Sequence, residues 1–193
     1  MDKLTKDFAN LREKISSPTF QANEGLSNEV GYYIFSYDPA QEMRVREEIT
    51  NLVTTATPAT INASIQVFDL FKIMMHIVDE FGYREQFADF EKQYGMPFVI
   101  GQMESLLRMN IDRNRIVEYI QKHLRPGRTI IFVTGVGAVF PLVRAHKVLN
   151  TMNQVIDDVP VVMFYPGMYD SVRLKMFGEL QDDNYYRAFS LNS

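Results

Sequence analysis

The residues best placed to do chemistry are Thr134-Gly135-Val136-Gly137, which follow the apolar, β-branched run Thr129-Ile130-Ile131-Phe132-Val133. Glycines after a strand let backbone approach a phosphate closely, and the free amides that open a following helix hold an anion. The pattern is only half of a dinucleotide fingerprint, because G-x-G-x-x-G requires glycine where Phe140 stands. No G-x-x-x-x-G-K-[ST] loop is present either, so no lysine is placed to reach a terminal phosphate. Asp38, Asp69 and Asp170 each lie where a strand pattern gives way to a helix pattern. Three converging carboxylates would suit Mg²⁺, whereas the same positions suit N-caps, the favoured reading for Asp38 and Asp69. His76, His123 and His146 sit in separate helical patterns with no H-E-x-x-H spacing, and no G-x-S-x-G elbow occurs. With every complete motif missing, the sequence assigns no catalytic residue, no metal and no cofactor. If a ligand is held, the residues it meets are Asp38, Thr134, Gly135, Gly137, Gly167 and Asp170.

The elements that must position these residues follow from hydrophobic periodicity. Leu4, Phe8, Leu11 and Ile15 mark an amphipathic helix that stops at Ser16-Ser17-Pro18. Residues 30–37 form a buried-type strand, followed by an Asp38-Pro39 helix start and a helix through Met43, Ile49, Leu52 and Val53. A second strand is expected at 60–68, and Asp69 caps the helix carrying Leu70, Ile73, Met74, Ile77 and Val78. The span to Arg128 reads as helix: Tyr83, Phe87, Phe90 and Tyr94 share one face, 97–109 forms another helix, and Asp112 caps a third bearing Ile116, Val117 and Ile120. The third strand and its glycine turn then lead to a helix opened by Pro141. A fourth strand at 159–165 ends in a Pro166-Gly167 turn. A short helix with Leu174, Met176 and Phe177 precedes an edge strand at 185–191. The expected fold is α/β: a mostly parallel five-stranded sheet flanked by helices, in a Rossmann-like or P-loop-like layout without a Walker motif. One domain spans 1–193, with a helical insertion at about 70–127. In such sheets ligands sit outside the carboxyl ends of the strands, which would bring the loops at Asp38, Asp69, Thr134 and Gly167 to one edge.

Composition narrows the function classes. The 193 residues carry 24 acidic and 20 basic side chains, a net charge of −4, which opposes a global nucleic-acid footprint. A local patch of Arg125, Arg128, Arg144 and Lys147 leaves direct DNA contact open. The absence of cysteine excludes disulfides and thiolate chemistry. With no apolar stretch of membrane-spanning length and no secretory signal pattern, a cytoplasmic protein is expected.

The same stretches carry a family resemblance. Asn23-Glu24-Gly25-Leu26 with Glu29-Val30, Phe35-Ser36-Tyr37-Asp38-Pro39, Thr134 to Gly137 with Phe140 to His146, and Phe164 to Asp170 occur in order. The whole resembles the BrxB family of bacteriophage-exclusion (BREX) defence systems. The resemblance implies a bacterial protein encoded beside a DNA methyltransferase, a large ATPase and the phosphatase-fold protein PglZ. It implies an accessory, non-enzymatic subunit for antiviral defence through protein–protein interaction, docking on PglZ and other BREX components. It transfers no catalytic residues. The alternatives are a degenerate nucleotide- or phosphate-binding domain and, less favoured, a DNA-contacting subunit.

Overall fold

The fold is described from a computed structural model for residues 2–23, 31–110, 113–169, 174–176, 180–182 and 188–192. Helix α1 (Lys3–Ser16) starts at Asp2, whose carboxylate accepts the Thr5 amide at 2.9 Å, and it buries the four apolar residues of its stripe. Ser17 ends it and caps the one-turn α2 (Pro18–Gln21). Strand β1 (Tyr32–Tyr37) leads through a 3₁₀ turn (Pro39–Gln41) into α3 (Glu42–Thr55) and the short α4 (Pro58–Ile61). Strand β2 (Ser64–Asp69) is followed by four helices: α5 (Leu70–Glu80), α6 (Arg84–Tyr94), α7 (Met96–Leu106) and α8 (Arg115–His123). Then come β3 (Thr129–Thr134), α9 (Val136–Val139), α10 (Ala145–Val155), β4 (Val161–Tyr169), β5 (Leu174–Met176), β6 (Leu180–Asp182) and β7 (Phe189–Ser190).

The sheet has the order β2-β3-β4-β1-β7, and every pairing along that path is parallel. β1 pairs with β4 over its whole length, from Tyr32 opposite Val161 to Tyr37 opposite Pro166. The mostly parallel α/β layout is therefore as expected, with β5 and β6 added as an antiparallel hairpin beside β4.

Side-chain alternation divides the apolar residues between two cores. Tyr32 and Ile34 join Ile131, Val133, Val161 and Met163 beneath α5, α7, α8 and α10. Tyr33, Phe35 and Tyr37 join Ile130, Phe132, Val162 and Phe164 beneath α1 to α4. In the second core Phe35 lies 4.8 Å from Phe8 and 5.2 Å from Phe164 between ring centroids, spacings favourable for aromatic pairs.

Several expectations are corrected. Residues 60–61, expected to open the second strand, belong instead to α4, because Pro58 occupies its first turn and Thr57 and Thr60 form a reciprocal cap; β2 begins at Ser64. The Pro166-Gly167 turn does not exist, since β4 runs on to Tyr169. The short helix expected around Leu174 and Met176 is strand β5, paired to β4. Pro141 does not open a helix: α9 starts directly after Gly135 and α10 only at Ala145, so Pro141 falls between them. Asn114, with its side chain accepting the Val117 amide at 2.9 Å, caps α8; Asp112 lies outside the described residues, as do 24–30 and the Tyr185–Arg187 part of the expected last strand. Among the described residues no helix is long and apolar enough to cross a membrane.

Gln21 ties the helices of the second core together. It is buried, and its Nε2 donates to the carbonyls of Ile15 at 2.8 Å and Ile61 at 2.6 Å, joining the end of α1 to the end of α4. Gln21→Leu keeps the bulk and strips both acceptors of this donor. The expected loss is about 1–3 kcal/mol of unfolding free energy, read as a lower urea midpoint at unchanged slope.

Candidate functional site

The carboxyl ends of the parallel strands form a hollow of about 260 Å³ between the sheet and α3. The winding puts it there. The connection after β1 crosses the face covered by α3, whereas those after β2 and β3 cross the other face through α5 and α10. Strand ends where connections part in this way are the usual ligand sites of α/β sheets.

Asp69 stands at the centre of this edge. It closes β2 and caps α5, accepting the Lys72 amide at 3.0 Å. Asp69 also explains Gly135, at the end of the neighbouring β3. Gly135 has φ +72°, and a Cβ there would come within 2.6 Å of Asp69 Oδ1 and 3.3 Å of the Phe71 nitrogen. The glycine is thus required by strand-to-helix packing. Thr134 lines the same hollow.

A chain of polar side chains closes the opposite wall. The Tyr37 hydroxyl donates to Glu42 Oε2, and Arg46 Nε donates to Glu42 Oε1 at 2.7 Å. Burial, then the bond to Glu42, pushes the Tyr37 phenol well above its ordinary pKa. The bond to Glu42 raises the Arg46 guanidinium, with Glu42 and Asp69 charges adding to it. The crevice therefore mixes Arg46 and Lys72 with Glu42 and Asp69, and its best-buried polar groups already satisfy one another.

The structure brings Thr134 and Gly135 together with Asp69 and separates the other expected ligand residues. Asp38 is exposed at the end of β1, where its carboxylate accepts the Ala40 amide at 2.9 Å, the capping role expected of it. Gly137 is inside α9. Gly167 is buried within β4, where a Cβ would collide with the backbone carbonyl of Lys175 in β5; it serves strand approach, not an open loop. Asp170 lies outside the described residues. Among the described residues no group of three or more His, Cys, Asp or Glu side chains is arranged to hold a metal ion. His76 and His123 flank the Tyr119 ring at 5.2 and 4.0 Å between centroids, and His146 is buried in α10. Of the four expected basic-patch residues, Lys147 is engaged by Glu104 at 3.1 Å and Asn110 at 2.7 Å. Tyr37 adjoins the expected strand-end position Asp38, whereas Glu42 and Arg46 carry no site motif in the sequence. The i,i+4 spacing of Glu42 and Arg46 was the available signal, but only the return of α3 over β1 puts Tyr37 beside them.

The second notable surface is helical. α6 has no buried residue. Its aromatic face runs Tyr83, Phe87, Phe90 and Tyr94, with Phe98 of α7 at 5.2 Å from Phe90 and 4.7 Å from Tyr94. Tyr83, Tyr94, Met96 and Phe98 are all exposed.

Known proteins resemble this chain over most of its length. A family model described as "BREX protein BrxB" matches residues 66–191. A Bacillus cereus (strain H3081.97) protein named BREX protein BrxB is 40% identical over 191 residues, 99% of this chain and 98% of that one. An Escherichia coli O9:H4 (strain HS) protein of the same name is 29% identical over 185 residues, 95% of this chain and 89% of that one. No solved structure matches significantly.

Two outcomes test this geometry. Gly135→Ala forces a side chain into the left-handed region and onto Asp69; the combined strain and lost capping lower stability by about 2–3 kcal/mol, read by urea unfolding. The buried phenols make stability fall at high pH. Tyr32, raised chiefly by burial and then by the charges of Asp157 and Asp158, and Tyr37 both hold their protons more tightly folded than unfolded. They therefore contribute stability that is complete below the ordinary tyrosine pKa of about 10 and is lost as pH rises above it. Tyr37→Phe should flatten the decline in urea midpoint between neutral pH and pH values above about 10.

Proposed function

The chain belongs to the BrxB family of BREX proteins, and on that premise we propose that it is a non-catalytic interaction subunit of the bacterial antiviral-defence apparatus. In this reading it docks on the phosphatase-fold PglZ-like component in the cytoplasm. The observation that carries the proposal is α6, an eleven-residue helix with an aromatic face and no buried residue. Ordering a helix in isolation is unfavourable, and an amphipathic face normally finds an apolar partner. The exposed Tyr83, Tyr94, Met96 and Phe98, beside half-buried Phe87 and Phe90, have the composition of the core of a protein–protein contact.

The strand-end crevice favours the same reading over a nucleotide site. Its phenol, carboxylate and guanidinium are bonded to one another, and the glycine at its lip serves the contact with Asp69. An anion entering there would meet two carboxylates as well as Arg46 and Lys72. DNA contact gains little support, because Lys147 is held by Glu104 and Asn110.

Co-expression with the PglZ-like component, followed by size-exclusion chromatography with light scattering, is expected to give one co-eluting species of defined mass; two separate peaks at micromolar concentration would refute the docking. Within a complex, Tyr94→Ser and the charge reversals Glu85→Lys and Lys92→Glu should weaken co-elution while leaving the melting temperature of the free protein almost unchanged. Changes at Gly135 should do the reverse. Millimolar nucleotide with Mg²⁺ is expected to leave the melting temperature where it was; a saturable rise would instead identify the crevice as a ligand site.

A further inference from the structure

The aromatic hairpin borders a groove whose chemistry specifies more than "apolar". Between the turn at Phe81, α6, α7 and the start of α8 lies a cavity of about 330 Å³. Tyr83, Phe87 and Phe90 supply aromatic surface and Leu106 aliphatic surface, while Gln86, Gln102 and Ser105 are neutral and polar. A single lining residue is charged: Arg115.

Arg115 is held in place by uncharged contacts. Its Nη1 donates to the Leu106 carbonyl at 2.6 Å, and its guanidinium carbon lies 4.1 Å from the Phe81 ring centroid. Among the described residues no carboxylate stands within 4.0 Å of it, although Glu80 and Glu118 border the adjoining hollow. A guanidinium has five donors in a rigid fork and prefers a carboxylate, bound through two parallel hydrogen bonds. Here the fork is oriented in advance by a carbonyl and a ring, which reduces the ordering cost of a partner's arrival.

Resting on the subunit reading above, we propose that this groove is the docking site, and that its occupant is an amphipathic helix of another defence component carrying apolar anchors and one aspartate or glutamate that pairs with Arg115. Anchors at i, i+3 and i+4 would enter the aromatic groove as helix-in-groove partners do, with the carboxylate one turn away. A second copy of this chain fits poorly. A two-fold contact centred on the groove would set Arg115 against Arg115, and the groove wall offers no carboxylate to relieve it.

The test uses the full-length chain co-expressed with the PglZ-like component. Gln102 is exposed in the groove wall, so Gln102→Glu and Gln102→Lys change the groove's charge without touching a buried residue. Gln102→Glu should weaken the complex about tenfold or more, by occupying or repelling the site of the partner carboxylate, whereas Gln102→Lys should retain most of the affinity. Arg115→Gln should weaken it to a similar degree, its melting temperature reporting any structural loss separately. A photo-crosslinking residue at 102 should capture an amphipathic peptide containing Asp or Glu from the component. Equal effects of Glu and Lys at 102, a captured peptide with no acidic residue, or capture of this chain itself would overturn the inference while leaving the subunit reading intact. If no complex forms even with the unaltered chain, the subunit reading fails and this inference falls with it.

Discussion

The pairing of β1 with β4 is the constraint on which the rest of the structure depends. These adjacent parallel strands carry apolar side chains on both faces, from Tyr32 to Phe35 and from Val161 to Tyr165, and all are buried. A parallel sheet of this kind is stable only when both faces are covered. One covering layer comes from α1 to α4 and the other from α5, α7, α8 and α10. β1 takes its place between β4 and β7 because its connection runs back across one face to the far edge, while later connections return across the other. The crevice at the carboxyl ends is a consequence of that winding.

Physical chemistry at the crevice is directed inward. Asp69 serves α5 and excludes any side chain from Gly135. Glu42 accepts from a buried phenol and a guanidinium, so the groups with the most electrostatic character are committed to holding α3 against the sheet. The described contacts of these strand-end residues hold α3 and α5 against the sheet.

On the opposite layer the balance is reversed. α8 buries Ile116, Val117 and Ile120 and joins the core, and α7 buries Val99, Met103 and Leu106. α6, packed on α7 alone of its helical neighbours in any extent, is left with aromatic rings half-buried or exposed. Lys147, pairing with Glu104 and Asn110, braces the base of this hairpin against α10. The arrangement combines a rigid base with an apolar, singly charged groove.

The sequence by itself determined the parallel α/β class, because runs such as Ile130-Ile131-Phe132-Val133 and Val161-Val162-Met163-Phe164 read as doubly covered strands wherever they pack. It also determined the local caps at Asp38 and Asp69, which act within three residues, and its ordered motifs were sufficient to indicate the family. It misread 60–61, 166–169 and 174–176 because a proline or a glycine signals a break in the chain but not which element follows. At Gly167 the deciding fact is the Lys175 carbonyl, brought close by the β5 pairing. Only tertiary structure decided that Tyr37, Glu42 and Arg46 form one chain, and that Arg115 faces an aromatic groove. Periodicity reports which side of an element is apolar; it carries no information about which distant residue that side will meet.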